Sequence, residues 1–252
     1  MSVSKNGYGK LIVAAAAVGA ALFAGAQAQA DIPEFRMRWF ASLDENTPFW
    51  YDPMDYGDVF DRGDGTFSYV GGLQGKLWSI DWDVLVDPDP LVDAQIIVTN
   101  NADIFQTFEL LMTLPVDALA NVIYNGSVSA TVTNEFNLEE GAVLRALKND
   151  SIYATYVDDP EAMGEGLFFL MSHPFSLETD PIPFDTASAT EFFGPNDGPS
   201  IGKSMQLRFS FELSPGDSAS ISGFFEALGI PAPGALGVFA IFGLGLGRRR
   251  RR

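Results

Sequence analysis

The sequence predicts an all-β fold, an antiparallel β-sandwich of jelly-roll type, and three observations carry that expectation. Apolar and polar residues alternate with period two through most of residues 31–228, the pattern of strands with one face buried and one wet. Turn-forming clusters separate these runs, and segments of helical period are scarce. About ten short strands divided by turns fit two packed antiparallel sheets.

Phe35, Met37, Trp39 and Ala41 alternate with Glu34, Arg36 and Arg38 and predict the first strand. Further strands are expected at residues 66–70, 94–99 and 107–114, with Trp78, Ile80, Trp82 and Val84 alternating against Ser79, Asp81 and Asp83. Asn125-Gly126 is a strong turn dipeptide, followed by the alternation of Val128, Ala130 and Val132. Strands follow at 152–157 and 167–171; then Leu207, Phe209, Phe211 and Leu213 alternate with Gln206, Arg208, Ser210 and Glu212. Ser214-Pro215-Gly216-Asp217 should turn the chain into Ala219, Ile221 and Phe225. Helix is expected only as one turn at 115–120 and as a weak pattern over 138–148 that a strand satisfies equally. No repeat or Ser/Gly linker interrupts 31–228, which reads as one domain.

Both ends read as export signals. Lys5 and Lys10 precede an apolar run over residues 11–26, and Ala28-Gln29-Ala30 offers the small residues that signal peptidase requires, so residues 1–30 should be removed before Asp31. The run would reach about 24 Å as helix, short of a hydrocarbon core of about 30 Å. At the other end, Ile230-Pro231-Ala232-Pro233-Gly234 leads into an apolar stretch to Gly247, closed by Arg248, Arg249, Arg250, Arg251 and Arg252. As a short helix this stretch spans about 21 Å, enough for membrane contact if the arginines snorkel and the bilayer thins. The positive-inside rule keeps the arginines cytoplasmic and the body on the outer side. An uncleaved membrane anchor would obey the same physics.

The order Pro231-Ala232-Pro233-Gly234, Gly-rich apolar helix, Arg248 to Arg252 resembles the PEP-CTERM sorting signal of diderm bacteria, with Ala232 where the family usually has glutamate between the prolines. The resemblance is confined to residues 229–252. It implies an exosortase-type transpeptidase as partner, cleavage near the motif, and delivery of the body to the cell surface or extracellular matrix. It implies nothing about what the body does there.

All 33 Asp and Glu residues lie between the two signals, and the signals hold seven of the 15 basic residues. The body therefore carries a formal charge of about −25, which repels nucleic acid and anionic lipid and attracts cations. Cysteine is absent, so no disulfide supports the domain outside the cell. His173 is the only histidine, which excludes multi-histidine metal sites, and no serine stands in a nucleophile frame. Carboxylate pairs roughly 5 to 10 Å apart, as glycoside hydrolysis needs, arise by chance among so many acids.

Two constellations remain. Asp55, Asp58, Asp61 and Asp64 form an acid ladder around a Gly-bent loop, and calcium, which takes six to eight oxygens, is the one cofactor they suggest; a solvated acidic loop is the alternative. A second acidic cluster, residues 87–93, should be held extended by Pro88 and Pro90. Trp50, Tyr51 and Tyr56 stand among these aspartates and could stack on sugar rings, or else fill the end of the core. The expectation is an exported surface or matrix protein that is structural or binding and not an enzyme. The alternative is a carbohydrate-binding module or carbohydrate-active enzyme on a jelly-roll fold, with extracellular polysaccharide as partner.

Overall fold

The computed structural model describes residues 32–43, 49–51, 55–135, 140–159, 161–162 and 164–230. The chain divides into two units, Met1–Asp31 and Ile32–Arg252. The signal-cleavage residues Ala28, Ala30 and Asp31, the motif Pro231 to Gly234 and the arginines 248–252 lie outside the described residues.

The described residues hold fifteen strands: β1 (Arg36–Ala41), β2 (Phe49–Tyr51), β3 (Gly57–Asp61), β4 (Phe67–Gln74), β5 (Trp78–Asp87), β6 (Leu91–Asn100), β7 (Gln106–Pro115), β8 (Val122–Thr133), β9 (Val143–Arg145), β10 (Ser151–Val157), β11 (Phe168–Ser172), β12 (Ser176–Glu178), β13 (Thr186–Gly198), β14 (Ser204–Leu213) and β15 (Ser218–Gly229). They form two antiparallel sheets. One runs β11-β10-β14-β7-β1-β2, with β9 beside β14 and β12 beside β9; the other runs β13-β8-β15-β6-β5-β4-β3. Among the described residues no helix is long and apolar enough to cross a membrane.

The core lies between the sheets because alternation points one face of each strand inward. Met37, Trp39, Leu110, Met112, Leu207 and Phe209 of the first sheet meet Ile80, Val84, Ile96, Val128, Ile221 and Phe225 of the second, all at most 1% exposed. Each such side chain contributes about 1.5–3 kcal/mol on burial, which offsets the lack of disulfides. Rings fasten the sheets to each other: Trp39 lies 5.5 Å from Trp78, and Phe168 stacks on Phe193 at 4.1 Å. The Tyr153 hydroxyl crosses the core to donate to the Phe224 carbonyl at 2.7 Å.

Several local expectations change. Asn125-Gly126 makes no turn; it runs through β8, paired with Glu226 and Phe225 of β15. A side chain at Gly126 would meet the Phe193 ring at 2.3 Å and the Tyr153 hydroxyl at 2.5 Å, so the glycine serves close packing. Pro88 and Pro90 do not extend their segment either. They sit in the turn between β5 and β6, where the Asp89 N–H donates to Asp87 at 2.9 Å. Residues 116–120 form no helical turn, since Leu119 bridges Ile201 in β fashion. The weak pattern at 138–148 contributes strand β9. The expected turn at Ser214 to Asp217 is present, with Gly216 at φ 76°.

Candidate functional site

The outer face of the first sheet carries a chain of charges. Register aligns Arg38, Leu111, Arg208, Ala154 and Phe169 in one row across β1, β7, β14, β10 and β11. The next row holds Arg36, Thr113, Gln206 and Tyr156. Glu109, two residues from Leu111 and on the same face, accepts from Arg38 at 2.8 Å and lies 3.9 Å from Arg208. Arg208 also pairs with Asp150, and Arg38 lies 3.5 Å from Glu161. The guanidinium of Arg208 sits 5.7 Å from the centre of the Tyr156 ring. Burial pushes the Tyr156 hydroxyl above its usual pKa, although Arg208 pulls the other way.

Glu161 reaches Arg38 only because the segment after β10 doubles back over the sheet. Three strand spacings, roughly 14 Å, separate β10 from β1. The described residues of this segment, 158–159, 161–162 and 164–166, therefore form a strap across the face, and the outward-pointing Leu111, Ala154 and Gln206 on that face are all 0% exposed. Asp158 pins the start of the strap by accepting from the backbone N–H groups of Gly202 and Lys203 at 2.7 and 2.6 Å.

A hollow opens on either side of the strap. The smaller, about 290 Å³, is lined by Glu34, Arg36, Thr113, Glu161, Lys203 and Ser204. The larger, about 590 Å³, is lined by Lys148, Asp150, Tyr156, Phe169 and Arg208, with glycines of the strap at its rim. Phe169 presents its ring to solvent. Thr113 Oγ1, Gln206 Oε1 and Arg208 Nε are buried without a hydrogen-bond partner among the described residues. Buried polar atoms seldom stay unpaired, so these atoms mark where a hydroxyl-bearing ligand or an ordered water would be held.

The residues singled out from sequence fall elsewhere. Asp58 and Asp61 lie on edge strand β3, three positions apart and thus on opposite faces, where they cannot converge on one ion. Asp55 and Asp64 are exposed in the flanking turns, and all four carboxylates face solvent. Asp61 accepts from the Gly63 N–H at 2.7 Å, and Asp64 accepts from both the N–H and the hydroxyl of Thr66, which lowers its pKa. Among the described residues no three His, Asp or Glu side chains are placed to hold a metal. Backbone register puts Trp50 and Tyr51 on β2 of the first sheet, while the exposed Tyr56 precedes β3 of the second.

Sequence reading missed the charged face, although Arg38 and Arg208 stood at the polar positions of its two clearest strands. The scarcity of cations in an acidic body was the available signal. No protein-family model matches the chain, and no curated protein matches it significantly. The site is interpretable only through its own chemistry.

Proposed function

We propose that this is an exported cell-surface or extracellular-matrix component of a diderm bacterium that works by binding. Its N-terminal signal would be removed by signal peptidase, and its PEP-CTERM-like tail, an apolar helix capped by arginines, would be handled by an exosortase-type transpeptidase. The body, with long strands distributed between two sheets, would be a sandwich of jelly-roll type.

The strapped, charged face carries the binding half of this reading. Two guanidiniums, of Arg38 and Arg208, link the three carboxylates Glu109, Asp150 and Glu161 in one ion-pair chain, an arrangement that presents charged donors and acceptors to a polar ligand. The exposed Phe169 ring and the Tyr156 ring beside unpaired polar atoms favour, as a second reading, a carbohydrate-binding module or enzyme, because sugars offer apolar C–H faces together with hydroxyls.

Intact mass of the protein recovered from its native surface or medium tests the route. Loss of residues 1–30 together with a break near residues 231–234 is expected. A mature chain retaining Arg248 to Arg252 would replace sorting with permanent anchoring. Release of new reducing ends from polysaccharides by the purified protein would overturn the non-enzymatic half.

A further inference from the structure

The outer face of the second sheet divides into two chemically different halves. On β3, β5 and β6 it carries Asp58, Asp81, Asp83 and Asp93. On β13, β8 and β15, register builds three rows made only of hydroxyl residues: Thr186, Thr133 and Ser218; Ser188, Thr131 and Ser220; Thr190, Ser129 and Ser222. A fourth row is Phe192, Ser127 and Phe224. The alternate residues Val128, Ala130, Val132, Ala219 and Ile221 are at most 1% exposed, so the rows face away from the core.

Register makes this patch regular. Strands lie about 4.8 Å apart and alternate residues about 6.8 Å apart, so nine short side chains tile roughly 10 by 14 Å. Thr190 bonds Ser129 at 3.1 Å, and Ser218 bonds Glu135 at 2.7 Å. The other hydroxyls of the three rows have no protein partner among the described residues, and each can donate and accept. Phe192, 78% exposed, and Phe224 stand two strands apart, about 10 Å, at the border of the patch.

Charge selects the partner. No charged residue interrupts the rows, and the charges at their border are the carboxylates Asp93, Glu135 and Glu226. An acidic polymer would be repelled there, whereas a neutral one would meet only hydroxyls and rings. We propose that this face docks a neutral polysaccharide in ordered, extended form, laid across the three strands with sugar rings on Phe192 and Phe224 and sugar hydroxyls against the Ser and Thr rows. The surface lies on the opposite sheet from the charged hollows and stands independently of them.

Co-sedimentation of the mature protein with microcrystalline cellulose and with chitin, using alginate gel as the acidic control, tests this. Depletion by at least one neutral solid, with none by alginate, is expected. Phe192→Ala and Thr131→Glu, both at outward positions and with unchanged melting curves, should each weaken retention about tenfold. Retention on neither neutral solid, equal retention of the variants, or preference for alginate would overturn the proposal. Faceting of ice crystals without glycan retention would overturn it too, by assigning the hydroxyl lattice to ice.

Discussion

Asn100→Asp should be among the most damaging isosteric changes in this protein. Asn100 ends β6, is 0% exposed, and its Nδ2 donates to the carbonyls of Ile104, Leu213 and Ser214 at 2.9, 3.0 and 3.1 Å. Its Oδ1 accepts from Ala102 at 3.0 Å, while its backbone bonds Asp217 and Gly216. One side chain thus ties the β6–β7 loop to the β14–β15 turn. Aspartate keeps the volume, opens no cavity and removes both donors, so the buried carbonyls of Leu213 and Ser214 and the part-buried carbonyl of Ile104 lose their partner, together about 2–4 kcal/mol. An ionised carboxylate facing those carbonyls adds to this, giving a loss of about 3–5 kcal/mol. Urea denaturation of the protein at pH 7 would measure it. The facing carbonyls hold the introduced carboxyl's folded pKa above its unfolded value of about 3.9, so the penalty should be smallest below that value and grow as pH rises through the folded one. A variant within about 1 kcal/mol of wild type at pH 7 would refute this account, since that is the scale of a single net hydrogen bond.

Three further outcomes are expected. Gly126→Ala places a methyl group against the Phe193 ring and the Tyr153 hydroxyl and should cost about 1–3 kcal/mol, read as a lower Tm; an unchanged or raised Tm contradicts the close-packing role. Tyr153→Phe removes the bond to the Phe224 carbonyl across the core and should cost about 1–2 kcal/mol in urea denaturation, without altering the far-ultraviolet signature of the fold. Partial burial, and then the neighbouring Asp83, raise the pKa of Asp93. Its favourable contribution is therefore full below about 3.9 and lost as pH rises through the folded value, so Asp93→Asn should raise Tm at pH 7 and have little effect near pH 4.

What could be read locally was what depends on neighbours two residues away. β5 and β14 bury one bulky side chain at every second position, and their alternation revealed them. β13 escaped because its half-buried positions begin with Ala187 and Ala189, too small to signal a buried face, and because it is an edge strand. β3 escaped because its aspartates and exposed Phe60 read as loop. Asn125-Gly126 misled because the dipeptide carries the same letters whether it turns or makes room for a ring from β13. The charged face could not be read at all. Arg38 and Arg208 share one row only through the strand order β1-β7-β14, which is fixed by packing between segments far apart in the sequence.

The outermost described strands are poorly built to join copies of this domain into fibrils. β2, β11 and β12 offer only three, five and three residues to an incoming strand. β3 presents Asp58 and Asp61, whose carboxylates make that border electrostatically hostile to a second acidic chain. β13 is long, but its register breaks between Phe193 and Asn196, and Pro195 within the break has no N–H to offer. Each of these borders is short, charged or interrupted, so the unpaired edges of both sheets give the strand of a second copy little to pair with, and the cysteine-free chain carries that protection in its sheet borders alone.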